Sequence, residues 1–433
     1  MLGPREARED LLGQCGLVTE QGDRTLAFYH FSIQEFLAAE RIFELRLDQL
    51  HDVFVERWSV ANWRNTLSFL FGRYMDAFTV PTRPLRLLET LIDELSDDSF
   101  EPQTVAGDCA EMLQAEGYVI SEEYGSALRA KLARSMTLRT AASERCEAGS
   151  LLGKLGDLRF DATRWYLPVG DTLGFEMVEA GPFLMGSDPS RDSQADDKEQ
   201  PKHEVLLPAF YIGRFPVTVA QFGEYLEVAG AALPKPARFR GVPNYPAVNV
   251  SWHEALGYCQ WLTGRLWDWP DAPPAVTRWL DETIRAGWVV TLPSEAEWEK
   301  AARGTQGAVY PWGDAMDPNK ANTTETGIGQ TSPVGAFPEG KSPYGAFDMS
   351  GNVWEWTSSL WGEDVTKPLF PYPYAASDGR ENLTASNSVF RVVRGGSWLF
   401  NDRFARTAYR FNLPPAFRVD TLGFRVVVSR SRS

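Results

Sequence analysis

The sequences RVVRGGSW at residues 391–398 and LGFRVV at residues 422–427 frame the C-terminal tail of the chain. Both motifs indicate fixed scaffold. The segment between them has an unusual composition, because Lys, Glu, Gln, Met and Trp are all absent from Leu399 to Ser433. Those five types make up roughly a fifth of an ordinary chain, so a gap of this length is improbable by chance.

The residue types within this gap share a coding property. Each can be written with a codon that ends in C, which is what remains when an Asn codon, AAC, is randomised at its two adenines. The segment is therefore interpreted as a binding surface written by directed mutation. An Arg- and Phe-rich structural strand and loop is the alternative interpretation.

The length, charge and cysteine content of the chain exclude some classes of function. A chain of 433 residues is long enough for two or three domains, and a hydrophobic content of 43% is ordinary for a soluble globular protein. The formal net charge of -15 argues against a general nucleic-acid binder. Without a CxxC pair, a signal peptide or an apolar run near 18 residues, the sequence predicts a cytoplasmic chain with reduced cysteines. The cysteines are Cys15, Cys109, Cys146 and Cys259.

Residues 1–150 are predicted to form an all-helical domain. Its clearest segment is FYHFSIQEFLAAE at residues 28–40, where Ser32 and Glu35 predict a capping box, and Phe31 and Phe36 a hydrophobic staple. This segment, together with GLV at residues 16–18, resembles the helical region after the nucleotide-binding core of STAND (NACHT-type) NTPases. The sequence GSLLGKL at residues 149–155 has the wrong spacing for a P-loop and Leu where Ser or Thr is needed, so no ATPase is expected.

From Phe175 onward the pattern changes to short strands and strongly capped helices, after a predicted linker at 151–172. Capping boxes predict helices at 219–229, 252–265 and 295–303. Residues 267–287 are interpreted as an insertion, and residues 363–387 as an insertion or a lid over one face. The three capping pairs are Thr218 with Gln221, Ser251 with Glu254, and Ser294 with Glu297.

Seven motifs in order resemble the formylglycine-generating-enzyme (sulfatase-modifying factor) domain. The resemblance implies an α+β, C-type-lectin-like domain over residues 173–430, which is loop-rich, with a twisted antiparallel sheet and two main helices. The motifs are GPFLMGS at 181–187, FPVT at 215–218, PAVNVSW at 246–252, LPSEAEWE at 292–299, YPWG at 310–313, DMSGNVWEW at 348–356, and RGGSW at 394–398 with GFR at 423–425.

The chemistry of the family does not carry over from the resemblance. Members that oxidise a substrate cysteine bind copper through two cysteines after the Gly-Gly-Ser motif, and here those positions hold Phe400 and Ala405. Neither side chain supplies a thiolate, so we expect no copper and no catalytic residues. The resemblance also implies a possible structural calcium ion, bound by the carboxylates of Asp348 and Glu355 and the carbonyls of Gly351 and Val353.

The tail most resembles that of variable proteins of diversity-generating retroelements, which share this fold. The resemblance implies a non-enzymatic, hypervariable ligand-binding protein whose aromatic anchors favour a protein partner. The helical segment implies association with, or origin from, a STAND NTPase. A divergent formylglycine-generating-type oxidase and a non-catalytic scaffold of a STAND signalling or defence system remain as alternatives. The mutable residues would be Leu399, Phe400, Asp402, Phe404, Phe411, Leu413, Phe417, Val419, Asp420 and Thr421 in a variable region at 399–421, with Arg394, Trp398, Arg406, Arg410, Arg418 and Arg425 as scaffold.

Overall fold

The fold is that of a computed structural model, which describes residues 18–21, 25–28, 30–60, 62–78, 82–138, 140–229 and 241–430. Cys15 and the Gly16-Leu17 pair lie outside the described residues. Described residues up to Ser135 form one compact unit and those from Met136 form a second. This division precedes the predicted boundary at residue 150, because Arg145 is already tied into the second unit, donating to the carbonyls of Ala336 at 2.8 Å and Asn319 at 2.9 Å.

The first unit is helical except for one hairpin, so the all-helical prediction needs a correction there. Strand β1 (Val18–Gln21) pairs antiparallel with β2 (Thr25–Phe28). None of the helices in the described part of the chain combines the length and the apolarity needed to cross a membrane. The helices of this unit are α1 Phe31–Arg46, α2 Leu50–Arg57, α3 Arg64–Ala77, α4 Thr82–Glu94, α5 Phe100–Ala115 and α6 Glu122–Ser135.

The predicted cap and staple at the start of α1 are wrong. The helix begins at Phe31, two residues earlier than a Ser32 cap would allow. His30 takes the capping position instead, and its Nδ1 accepts a hydrogen bond from the Ser32 amide at 3.3 Å. The side chains of Phe31 and Phe36 are 79% and 46% exposed, so they do not form the expected buried contact.

The second unit is a mixed, sheet-rich domain. One four-stranded sheet has the order β12-β11-β10-β13 and the other β5-β8-β14-β9, and β3-β4 and β6-β7 form two separate two-stranded sheets. The strands are β3 Phe160–Asp161, β4 Leu167–Pro168, β5 Phe175–Val178, β6 Gly181–Met185, β7 His203–Leu207, β8 Phe210–Gly213, β9 Trp288–Thr291, β10 Trp354–Gly362, β11 Phe390–Arg394, β12 Phe411–Leu413, β13 Leu422–Phe424 and β14 Val427–Arg430. The helices are α7 Ala142–Leu155, α8 Val219–Ala229, α9 Trp252–Trp267, α10 Pro274–Glu282 and α11 Glu295–Arg303.

All three predicted capping boxes of this unit are confirmed. At the start of α9 the Ser251 amide donates to Glu254 at 2.8 Å, while the Glu254 amide donates to the Ser251 hydroxyl at 3.3 Å. Ser294 with Glu297, and Thr218 with Gln221, make the same reciprocal pairs. Because each box satisfies two otherwise unpaired amides, it fixes where the helix starts.

Strand β10 is the centre of the sheet that carries the tail, and all nine of its residues are buried. Trp354 and Trp356 of this strand join a large apolar core with Tyr258 and Leu262 of α9. Its hydroxyl residues are buried because each has a partner, as in the bond from Thr357 Oγ1 to the Val392 carbonyl at 2.8 Å. Strand β10 therefore provides a rigid base beneath the tail.

Candidate functional site

The tail begins at a turn that only glycine fits. Gly395 and Gly396 have φ angles of 96° and 75°. A Cβ on Gly396 would lie 2.9 Å from the Phe404 carbonyl oxygen and 3.0 Å from Ala405. The two glycines therefore allow the chain to fold tightly back beside β11.

Two tail arginines are anchored on helix α11. Arg394 donates to Glu295 at 2.9 Å and also contacts Glu299, and all three side chains are fully buried. Arg410 makes a two-point contact with Glu295, at 2.5 and 2.8 Å. Burial alone would raise the pKa of Glu295, but the charges of Arg410 and Arg394 hold it below its ordinary value. This end of the tail is therefore fixed by buried ion pairs.

A third anchor is Arg406, which lies next to the loop at residues 188–202. Its guanidinium donates to Asp192 at 2.6 Å and to both oxygens of Glu199 at 2.7 and 2.8 Å. The side chains of Arg406 and Glu199 are 1% and 0% exposed. Loss of one partner of such a buried pair is strongly destabilising, because it leaves the other charge buried without compensation.

The remaining anchors follow β12. Arg418 donates to Glu254 of α9 at 2.9 Å, and Arg425 donates to Glu355 of β10 at 2.7 and 2.9 Å. Each predicted scaffold arginine therefore pairs with a carboxylate of another element. In contrast, the side chain of Arg403 is 50% exposed and approaches Asp196 only at 3.5 Å.

We call the ten predicted mutable positions the tail surface, and its centre is aromatic. Trp354 of β10 lies beneath the Phe400 and Phe411 rings, with centroids 5.8 and 5.5 Å away, and the Phe400 and Phe404 rings are 5.1 Å apart. These three phenylalanines are half-buried. The structure thus brings Phe400, Phe404 and Phe411 together in one patch that remains partly open to solvent.

Strand β12 adds to this patch through its alternation. Phe411 and Leu413 are half-buried on one face, while the intervening Asn412 is buried and donates to the Val365 carbonyl at 3.1 Å. Strand β12 is also the edge strand of its sheet. Side chains at 411 and 413 can therefore vary with little effect on the strand pairing.

The rest of the tail surface is less uniform. Leu399 and Phe417 are 53% and 42% exposed, Asp420 is exposed, and Asp402 and Val419 are half-buried. Phe417 and Asp420 belong to a segment beside the start of α9, where the Trp252 amide donates to the Pro415 carbonyl at 3.0 Å. Thr421 does not fit an exposed set, because it is 4% exposed and its carbonyl accepts from the Trp354 amide at 2.8 Å.

The four predicted calcium ligands fit a calcium ion poorly. Both oxygens of Glu355 already accept hydrogen bonds from Arg425, and one also accepts from the Trp298 indole at 2.6 Å. Burial raises the pKa of Asp348 to about 6, with a further contribution from Glu355, despite the Gly335 amide donating to it at 2.8 Å. Calcium requires available carboxylates, and here Glu355 is paired with Arg425, while burial makes the ionised form of Asp348 less favourable than that of an exposed carboxyl. Residues 351 and 353 offer only carbonyls.

The two positions that would bind copper in an oxidase contain no thiol. Phe400 belongs to the aromatic patch, and Ala405 is 1% exposed with its carbonyl accepting from Ser350 Oγ at 2.7 Å. Cys109, Cys146 and Cys259 are buried thiols. Within the described residues, no three His, Cys, Asp or Glu side chains form a metal-binding group.

Sequence reasoning missed the carboxylates that hold the tail. Asp192 and Glu199 belong to the loop at residues 188–202, which carries none of the seven family motifs, and they lie more than 200 residues from Arg406 along the chain. Glu295 and Glu299 lie in the helix of a recognised motif, but nothing local shows that they face arginines. One usable signal was the number of arginines in the tail, since buried arginines need buried acids.

Comparison with known proteins places the second unit in a family. Residues 169–430 match the sulfatase-modifying factor enzyme 1-like domain. The inactive C-alpha-formylglycine-generating enzyme 2 of Bos taurus is 30% identical over 332 residues, covering 62% of this chain and 93% of that protein.

An enzyme is also among the relatives. Hercynine oxygenase of Mycolicibacterium smegmatis is 31% identical over 254 residues, which cover 54% of this chain and 56% of that protein. The chain therefore spans about half the length of this relative. The relatives thus include both an inactive protein and an oxygenase.

Solved structures give a similar match. Treponema denticola variable protein 1 aligns with a TM-score of 0.42 and 23% identity, covering 59% of this chain and 94% of that chain. Since the family match extends over more than half of the sequence, the chain belongs to the sulfatase-modifying factor enzyme 1-like domain family.

Proposed function

We propose that this protein is a hypervariable, non-catalytic ligand-binding protein whose tail surface is displayed on a C-type-lectin-like scaffold. One observation carries the proposal. The tail arginines are held by buried carboxylates of the scaffold, whereas nine of the ten tail-surface positions lie exposed or half-buried between them. A backbone fixed by distant contacts can keep its course while the side chains between the anchors change.

The partner that suits this surface is a protein. Phe400, Phe404 and Phe411 form a partly exposed aromatic patch, and Leu399 and Phe417 add exposed apolar area. Aromatic side chains in an open patch are typical of protein-binding hot spots. A divergent oxidase is disfavoured because Phe400 and Ala405 replace the two cysteines that its chemistry needs.

The helical first unit is assigned a coupling role within the same proposal. Its FSIQEFLAA sequence at residues 31–39 supports origin from, or association with, a STAND-type NTPase. The module would transmit binding at the tail surface to such a partner in the cytoplasm. Co-purification of the full chain with a STAND NTPase encoded in the same genome would test this part separately.

A selection experiment tests the binding proposal. The full chain is displayed as a library in which the ten tail-surface positions carry codons that end in C, and it is selected against a folded target protein such as lysozyme. We expect folded clones that bind the target with affinities set by the nine of those positions that are exposed or half-buried. A matched library randomises ten exposed positions elsewhere in the second unit, including Val169, Leu206 and Val228, which are 54%, 76% and 52% exposed. Equal enrichment from both libraries would contradict the proposal.

A further inference from the structure

The loop at residues 363–387, predicted as an insertion or a lid, is attached to the start of β7 through a histidine. The Tyr374 amide donates to His203 Nε2 at 2.7 Å. The other ring nitrogen, Nδ1, lies 2.7 Å from the Pro201 carbonyl oxygen. Both nitrogens of the half-buried His203 ring are therefore engaged, one by the loop and one by the segment that enters β7.

These two contacts determine where the imidazole proton lies. A backbone amide only donates hydrogen bonds, so Nε2 of His203 must accept and carries no proton. A carbonyl oxygen only accepts, so Nδ1 carries the proton and donates to Pro201. A second proton, on Nε2, would set an N–H group against the Tyr374 N–H group and break the bond to the loop.

His203 also contacts the loop through Tyr372. The two rings pack edge to face, with their centroids 5.0 Å apart. Tyr372 is 6% exposed, and its hydroxyl lies 3.2 Å from a Glu295 oxygen and 3.3 Å from a Glu299 oxygen. Both carboxylates pair with Arg394 of the tail. This part of the loop therefore joins His203 to the carboxylates that anchor the tail.

The strands around His203 offer no carboxylate that would hold its second proton. Met185 of β6 pairs with His203, and methionine does not titrate. Glu204 follows His203 in β7, and its side chain points to the opposite face because neighbours along a strand alternate. Lys202 precedes His203 and is itself a cation, so it disfavours a further positive charge nearby.

Helix α11 and the loop supply the other carboxylates, and these already have partners. The helix packs against β6 and β7. Its Glu299 accepts from the Gly186 amide at 2.7 Å and pairs with Arg303 at 2.6 Å. Its Glu295 pairs with Arg410 as well as with the tail arginine described above. On the loop, the Tyr374 hydroxyl donates to Glu381 at 2.8 Å. Protonation of His203 would therefore break one contact without forming an equivalent one.

We propose that His203 is a pH-sensitive latch on the loop at residues 363–387. With Nε2 unprotonated, the ring holds the Tyr374 amide and the latch is closed. Imidazoles ordinarily take up a proton below about pH 6.5, so acid opens the latch and makes residues 372–376 more mobile. The buried ion pairs of Arg394 remain, and the tail keeps its anchors while the loop beside it loosens. The latch does not depend on the proposed binding function.

Amide hydrogen exchange of the full chain at pH 7.5 and pH 5.5 tests the latch. In His203→Gln, the side-chain amide oxygen can accept from Tyr374 and does not titrate. Comparison of the two proteins at the same pH cancels the chemical dependence of exchange on pH. We expect equal exchange at residues 372–376 at pH 7.5. At pH 5.5 the natural chain should exchange there about tenfold faster, which is the order of effect of losing a buried hydrogen bond.

Nitrogen NMR of the natural chain supplies a second measurement that needs no variant. It should show His203 with Nδ1 protonated and Nε2 unprotonated at pH 7.5. The matched control is His253→Gln, because His253 is exposed on α9 in the same unit, and this variant should exchange like the natural chain at both pH values.

Three results would overturn the proposal. One is a proton on Nε2 of His203 at pH 7.5. Another is equal exchange of residues 372–376 in the natural chain and His203→Gln at pH 5.5. The third is an acid-induced increase of the same size in β10, since that would show a general loosening of the unit and not a latch.

Discussion

Asp348, in the family motif at residues 348–356, has a buried carboxyl group that stabilises a turn. Its φ angle is 57°, in the left-handed region, and its side chain is 6% exposed. It pins the turn by accepting from the Gly335 amide at 2.8 Å. Asn adopts this backbone conformation readily and can accept the same hydrogen bond. Asp348→Asn therefore isolates the effect of the charge.

We expect Asp348→Asn to stabilise the protein above pH 7. The pKa of Asp348 is raised to about 6 by burial, so this group favours folding most at low pH, and that contribution is lost as the pH rises through about 6. The natural chain should therefore lose up to about 3 kcal/mol of unfolding free energy from this group between about pH 4 and pH 7. The variant should not show this loss, as measured by urea unfolding across pH.

Calcium supplies the control for that experiment. If Asp348 and Glu355 anchored the turn only through hydrogen bonds and ion pairs, calcium would leave the unfolding midpoint of both proteins unchanged. A calcium-dependent rise in the natural chain that is absent from Asp348→Asn would instead establish the metal site. That result would contradict the inference that Glu355, which is paired with Arg425, fits a calcium ion poorly.

At the scale of elements, the tail is a strand-and-loop segment held by pairs of opposite charge. Arg406 and Arg403 make a natural comparison, because they lie three residues apart but differ in burial. Arg406→Ser removes the partner of Glu199, which is fully buried. We expect a loss of about 3–5 kcal/mol of unfolding free energy, as for other broken buried pairs.

Arg403→Ser is the matched control in the same segment. Its side chain is 50% exposed, so we expect a change within about 0.5 kcal/mol, which is usual for surface substitutions. Denaturant unfolding of both variants measures the difference. Similar losses in both would show that the ion pairs do not hold the tail.

The helix starts provide a third prediction. Ser251 caps α9 in a complete capping box, so Ser251→Ala should cost about 1 kcal/mol. Ser32 lies inside α1 and only its backbone amide donates to His30, so Ser32→Ala should cost far less. Amide exchange in the first turn of each helix checks this, and a large effect at Ser32 would restore the predicted cap.

The elements also show what sequence could and could not predict. The capping boxes depend on residues three apart, so the sequence predicted α8, α9 and α11 closely. The pairs of Arg406 join residues more than 200 positions apart, and no local pattern encodes them. The composition of the tail predicts that Thr421 is an exposed, mutable position. The structure buries it instead, because its backbone pairs with the start of β10. Composition identified the tail, and tertiary contacts decide which of its positions face solvent.

At the scale of the whole molecule, the second unit begins before the family match. Asn244, which is 1% exposed, donates to the Gly149 carbonyl at 2.9 Å and to Asp157 at 2.8 Å. A fragment of residues 136–433 keeps these partners, whereas a fragment of residues 169–433 loses both. We expect the longer fragment to unfold cooperatively and the shorter one to melt several degrees lower in calorimetry. Equal melting temperatures would place the true boundary after residue 157.

Buried arginines fix the tail, while the positions between them are free to change. The most direct measurement is a proteolysis-based stability selection on the full chain, with residues 394–425 randomised one position at a time and sequenced. We expect Arg394, Arg406, Arg410 and Arg425 to accept almost no replacement. Polar replacements should be accepted at Leu399, Phe400, Phe404, Phe411, Leu413 and Phe417. If Phe400, Phe404 and Phe411 proved as intolerant as the arginines, these side chains would be core packing and not a variable binding surface.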